Sequence, residues 1–93
     1  MSKLPNMSKL PKWFEGEVYT EGTEVKNPFT QESCKLNANE LSMYDFIMGS
    51  KLYLEIANTN DPGGGKLDAI IHIQKGLDWF KENNLYAYHM LLV

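Results

Sequence analysis

His72, His89, Cys34 and Asp45 are the residues of this 93-residue chain best suited to chemistry. A zinc site built from the two histidines and the thiol would need a fourth ligand and convergence from three separate elements. No pair of them falls at a short metal-ligand spacing, so structural roles are expected for all three. His72 stands one turn after Asp68, where a side-chain pair on one helix is expected. Cys34 alternates onto one face of a strand and reads as a small buried apolar group. Asp45 is embedded in the apolar run Met43-Tyr44-Asp45-Phe46-Ile47-Met48. General acid or base work would need this carboxylate in a concave site with a shifted pKa. The plainer expectation is a place on the polar edge of a helix, near Lys51 or a backbone donor. Only if Asp45, His72 and His89 met in one pocket would a small-molecule or metal-binding protein, or a cryptic enzyme, follow.

Gly63, Gly64, Gly65 and Lys66 invite comparison with a phosphate loop. The Walker pattern needs a glycine five residues before its Gly-Lys pair and Ser or Thr after the lysine. Asn60 and Leu67 occupy those places, and the stretch follows a helical pattern rather than a strand. It reads as a flexible linker, and no cofactor is implied. With no nucleophile–base spacing either, the chain is expected not to be an enzyme.

Composition narrows the partners. All nine basic residues are lysine, and arginine is the preferred fork for guanine edges, phosphates and buried carboxylates. From Trp13 onward six lysines face twelve carboxylates, a net of −6. Nucleic acid is therefore an unfavoured partner, and a neutral or basic protein surface a favoured one. A lone cysteine excludes an internal disulfide and points to a reducing, cytoplasmic setting, the host cytoplasm if the chain is viral. No apolar run reaches the length of a membrane span, and the N-terminus lacks the apolar core of a signal peptide.

These groups must be positioned by a few short elements. Met1-Ser2-Lys3-Leu4-Pro5 is repeated as Met7-Ser8-Lys9-Leu10-Pro11, a duplicated start too short to fold. Residues 1–11 are expected to be a flexible basic arm, and residues 12–93 a single domain with a flexible loop at 58–66. The arm leaves open a structural virion or nucleic-acid-associated role. Thr23–Lys26 and Ser33–Leu36 read as an antiparallel hairpin, closed by Asn27 and Pro28 in a turn. Val18–Thr20 is a candidate third strand, and Phe29 is expected to tuck back over the hairpin. Asn37 with Glu40 fits a capping box opening a helix over 38–57. That helix carries two apolar stripes: Leu41, Tyr44, Met48, Leu52 and Ile56, and beside it Met43, Phe46, Ile47, Ser50 and Leu54. A surface helix needs only one. A second helix is expected over 67–83, with Gly76 placed for a close crossing, and a short last one over 85–92 begun at Asn84.

Asn27-Pro28-Phe29-Thr30-Gln31-Glu32, the stretch Leu41 to Gly49 and the stretch Gly76 to Phe80 resemble short uncharacterised proteins of tailed bacteriophages, especially those of marine bacteria. The resemblance spans about residues 12–93 and implies a small phage-like protein. It carries over no site residues. The expected architecture is α+β: an N-terminal hairpin packed on two main helices, with a short C-terminal helix closing the core. The surplus apolar surface points to a non-enzymatic protein-interaction module, one form of which is a homodimer, acting on a host or viral protein. Its expected anchors are Met43, Phe46, Ile47, Trp79 and Phe80, from residue types enriched at interfaces.

Overall fold

The computed structural model describes residues 9–56 and 65–92 and has the expected α+β layout. Strands β1 (Thr23–Lys26) and β2 (Ser33–Leu36) pair antiparallel, Thr23 opposite Leu36 and Lys26 opposite Ser33. Alternation along β2 sends Cys34 and Leu36 into the core and leaves Ser33 and Lys35 in solvent. On the outer face the Ser33 hydroxyl donates to Glu24 Oε2 (2.9 Å). A two-stranded hairpin is marginal by itself, and Asn27 fastens this one to the body. The Asn27 side-chain oxygen accepts from the N–H groups of Phe29 (2.8 Å) and Thr30 (3.3 Å), while Nδ2 donates to the carbonyl of Met90 (2.9 Å). Gln31 completes the turn at φ 69°. Phe29 does not tuck back: it is 92% exposed, because the turn that Asn27 closes carries it away from the core face.

Helix α1 spans Ala38–Ile56. Its capping box forms reciprocally: Glu40 N–H donates to Asn37 Oδ1 (2.8 Å), and Asn37 N–H donates to Glu40 Oε1 (2.9 Å). Glu40 is nevertheless buried, which a capping residue need not be. Its second oxygen accepts from Asn84 Nδ2 (2.9 Å), and Asn84 Oδ1 caps the last helix by accepting from Ala87 N–H (3.0 Å). One carboxylate thus ties together the starts of two helices 44 residues apart.

Helix α2 spans Gly65–Asn83, opening two residues earlier than its apolar pattern implied. It runs antiparallel to α1: Gly76 lies against Ile47, His72 against Phe46 and Gly65 against Tyr53. Gly76 permits the close crossing expected of it, since a Cβ there would stand 2.5 Å from Ile47 Cγ1 and 2.8 Å from Cδ1. Ile47 is fully buried and has little room to yield. Gly76→Ala should therefore cost about 1–3 kcal/mol in denaturant unfolding, the overpacking outweighing the roughly 1 kcal/mol that alanine gains in helix propensity. The chain then forms α3 (Leu85–Ala87), which passes directly into a π-helical turn, Tyr88–Leu92, whose Leu91 and Leu92 close the core.

Val18–Thr20 is not a third strand; among the described residues the sheet holds β1 and β2 only. Tyr19 N–H donates instead to Ser42 Oγ (2.8 Å), and the Ser42 hydroxyl donates to Ala38 O (2.8 Å). The segment is thus bound across the back of α1. Gly22 follows it with its backbone pressed against Leu36 and Asn37, where a Cβ would not fit. The body also takes in more of the N-terminal segment than expected. The Trp79 indole N–H donates to Lys9 O (3.2 Å), and Leu10 packs on the core. Residues 1–8 of the expected arm, residues 58–64 of the loop expected at 58–66, Ala57 and Val93 lie outside the described residues.

Candidate interaction surface

Four of the five expected partner anchors are core residues. Met43, Ile47 and Phe80 are fully buried and Trp79 nearly so. In the folded chain they are unavailable to a partner. Beyond the hairpin and one helix, two further layers cover the core, the segment from Lys9 to Gly22 and the C-terminal π-turn. Phe46 is half-buried under the first of these layers, its ring 5.0 Å from Phe14, 6.2 Å from Trp13 and 4.9 Å from His72. Gly16 lies so close to the Phe14 and Phe46 rings that a Cβ there would clash.

The groups suited to chemistry are dispersed. His72 packs on Phe46, whereas His89 lies on the π-turn beside Tyr88 (5.4 Å). Asp45 is exposed on α1, with its charge felt by the Tyr19 phenol. Among the described residues no three His, Cys, Asp or Glu side chains are grouped to hold a metal ion. A shallow open cleft of about 270 Å³ is lined by Pro11, Trp13, Lys75, Asp78, Trp79 and Glu82. Its aromatic wall is already served from within, Lys75 Nζ standing 5.5 Å from the centre of the Trp13 ring.

Three side chains respond to burial. Desolvation raises the pKa of Cys34, with the Glu40 carboxylate adding to it, and raises that of Tyr44. Tyr19 is raised by desolvation first and then by Asp45. A thiol or phenol raised on folding favours the folded state in its neutral form. That contribution is complete below the ordinary values of 9.0 for the thiol and 10.0 for the phenols, and is lost as pH climbs through the folded values. The melting temperature should therefore hold to about pH 9 and fall beyond it, and Cys34→Ala should blunt the first part of the fall.

What the fold leaves uncovered lies at one end. The stripe Met43, Phe46, Ile47, Ser50 and Leu54 faces inward or is half-buried along its whole length. Its neighbour grades outward: Leu41 and Tyr44 are half-buried, Met48 is exposed, Leu52 is 55% exposed and Ile56 is 74% exposed. Beyond the Phe46–His72 contact, α1 exposes Met48, Leu52, Tyr53 and Ile56, and α2 exposes Leu67, Ile70 and Ile71. The hairpin, the N-terminal segment and the C-terminal turn all pack at the other end of the helix pair; Tyr53 reaches Gly65 of α2, and all seven side chains remain partly or largely in solvent. The charges on this outer half, Lys51, Glu55, Lys66 and Asp68, cancel. No described helix is long and apolar enough to cross a membrane. No protein family, curated protein or solved structure matches the chain.

Proposed function

We propose that this protein is a non-enzymatic protein-interaction module that docks a host or viral protein through the outer half of its α1–α2 hairpin. The observation that carries this reading is the gathering of seven exposed large apolar side chains on one end of a charge-balanced helix pair. Scattered single apolar residues are ordinary on a surface, whereas apolar residues gathered on one helix face, as Leu52 and Ile56 are on α1, mark docking sites. The neutrality of this end, within an acidic chain, suits a partner that is itself apolar at its centre. The resemblance to small tailed-phage proteins supports an infected-cell cytoplasm as the setting. No cofactor and no nucleic acid enter this reading.

Affinity capture with the intact chain in its host tests it. A Leu52→Glu, Leu67→Glu double variant should lose the captured protein, at least about tenfold in retained amount, while its melting temperature stays within a few degrees of the parent. Phe29→Glu, at the far tip of the β-hairpin, should leave capture unchanged. Capture that survives the double variant would place the docking surface elsewhere.

A further inference from the structure

The outer half of the helix pair also indicates one partner by its shape. Gly49, Leu52, Tyr53 and Ile56 recur at i, i+3, i+4 and i+7, the spacing of a helix–helix seam. All four are exposed. At one end of the seam a Cβ on Gly49 would meet nothing within 4 Å, so the backbone lies open. At the other end Ile56 is the most exposed apolar side chain of α1. A hole and a knob therefore stand seven residues apart, on either side of the Leu52–Tyr53 midpoint.

We infer that this seam pairs with the same seam of a second copy of the chain, α1 against α1, antiparallel about a two-fold axis near Leu52 and Tyr53. Only in that arrangement does each Ile56 fall over the partner copy's Gly49, where the missing side chain lets the helices approach. An isologous contact of this kind is self-complementary and closes at two copies. Charge selects the same orientation. Asp45 continues the seam past Gly49 and is exposed. Parallel pairing would set the two Asp45 carboxylates side by side, whereas antiparallel pairing separates them by roughly 22 Å of helix, beyond the screening length in physiological salt. Between Gly49 and Ile56 the seam itself carries no charge; Lys51 and Glu55 lie off it.

The area sets the strength. Leu52, Tyr53 and Ile56, with Met48 on the rim, offer on the order of 400 Å² per copy, about half of what each side of a standard interface buries. The pair is therefore weak and concentration-dependent. This inference rests on the reading of the outer half as a docking surface, and narrows part of that surface to a second copy.

Sedimentation of the full chain from about 10 µM to about 1 mM tests it. The weight-average mass should climb from one chain towards two. Ile56→Asp should hold it at one chain throughout. Gly49→Ala should raise the melting temperature by about 4 °C, since alanine is the better helix former, and yet weaken association by about tenfold, since it fills the hole. That pairing of a firmer fold with a weaker dimer is what a merely structural role for Gly49 would not produce. Mass fixed at one chain across the range would overturn the inference, as would association that persists unchanged in Ile56→Asp or Gly49→Ala. If host-protein capture then still failed in the Leu52→Glu, Leu67→Glu variant, the docking surface would stand and only its second-copy occupant would fall.

Discussion

Phe80→Ala should cost about 3–5 kcal/mol, read as a fall in denaturant midpoint with the slope unchanged. Phe80 is fully buried, its ring edge-on to Trp79 at 5.2 Å and 86°. Truncating it removes the apolar contacts and leaves a cavity that the close-packed core around it cannot collapse to fill. A domain of this length is stable by about 5–14 kcal/mol in total, so the loss takes a large share of it. The result separates two roles for this residue. A partner anchor on the surface would lose binding and keep its midpoint; a core residue loses its midpoint first. The same reasoning applies to Met43 and Ile47, both without solvent exposure.

Glu40→Ala is the second large effect, about 2–4 kcal/mol, and it arises from polar rather than apolar groups. Removing the carboxylate strands the Asn37 N–H and Asn84 Nδ2 in a region where Glu40 itself was buried. A buried donor without an acceptor forfeits its hydration and receives nothing in return. Two helix starts loosen at once, because Asn84 is both a partner of Glu40 and the cap of α3. Glu40→Gln should recover part of the loss: one carbonyl oxygen remains as an acceptor, while the amide NH2 meets a donor. A second readout accompanies the first. The Glu40 carboxylate is the lesser of two causes raising the Cys34 pKa, so Glu40→Gln should lower that pKa while desolvation keeps it above 9.0. Native-state thiol alkylation against pH measures it. A Cys34 titration indifferent to Glu40→Gln would contradict this electrostatic influence.

The local elements were legible because their causes are local. Thr23–Lys26 and Ser33–Leu36 pair as the alternation and the Asn27-Pro28 turn imply, and the Asn37–Glu40 box opens α1 where its two side chains, three residues apart, can reach each other's backbone. Asn84 caps the final helix as expected. The departure at Val18–Thr20 has a tertiary origin. Its backbone meets a hydroxyl, Ser42, on the back of α1 and hydrogen-bonds there instead of joining the sheet. The π-turn at Tyr88–Leu92 likewise left no mark in the apolar pattern, since it serves to bring Leu91 and Leu92 onto the core and the Met90 carbonyl onto Asn27.

The interaction surface was legible only in part. Two apolar stripes on α1 announced that one helix carried more apolar surface than a single neighbour covers. Which stretch stays bare could not follow from spacing, because Met43 and Leu52 are equally apolar on a helical wheel. Cover is decided by where non-adjacent segments come to rest. Lys9 to Gly22 and residues 84–92 both return to the same end of the helix pair, burying Met43, Ile47 and Phe80 and leaving Leu52, Ile56 and Leu67 uncovered among the described residues. The hairpin, the two long helices, the caps and the surplus of apolar surface follow from residues a few positions apart. Which of that surface faces solvent depends instead on contacts between segments as far as 70 residues apart, because burial is a property of the packed chain.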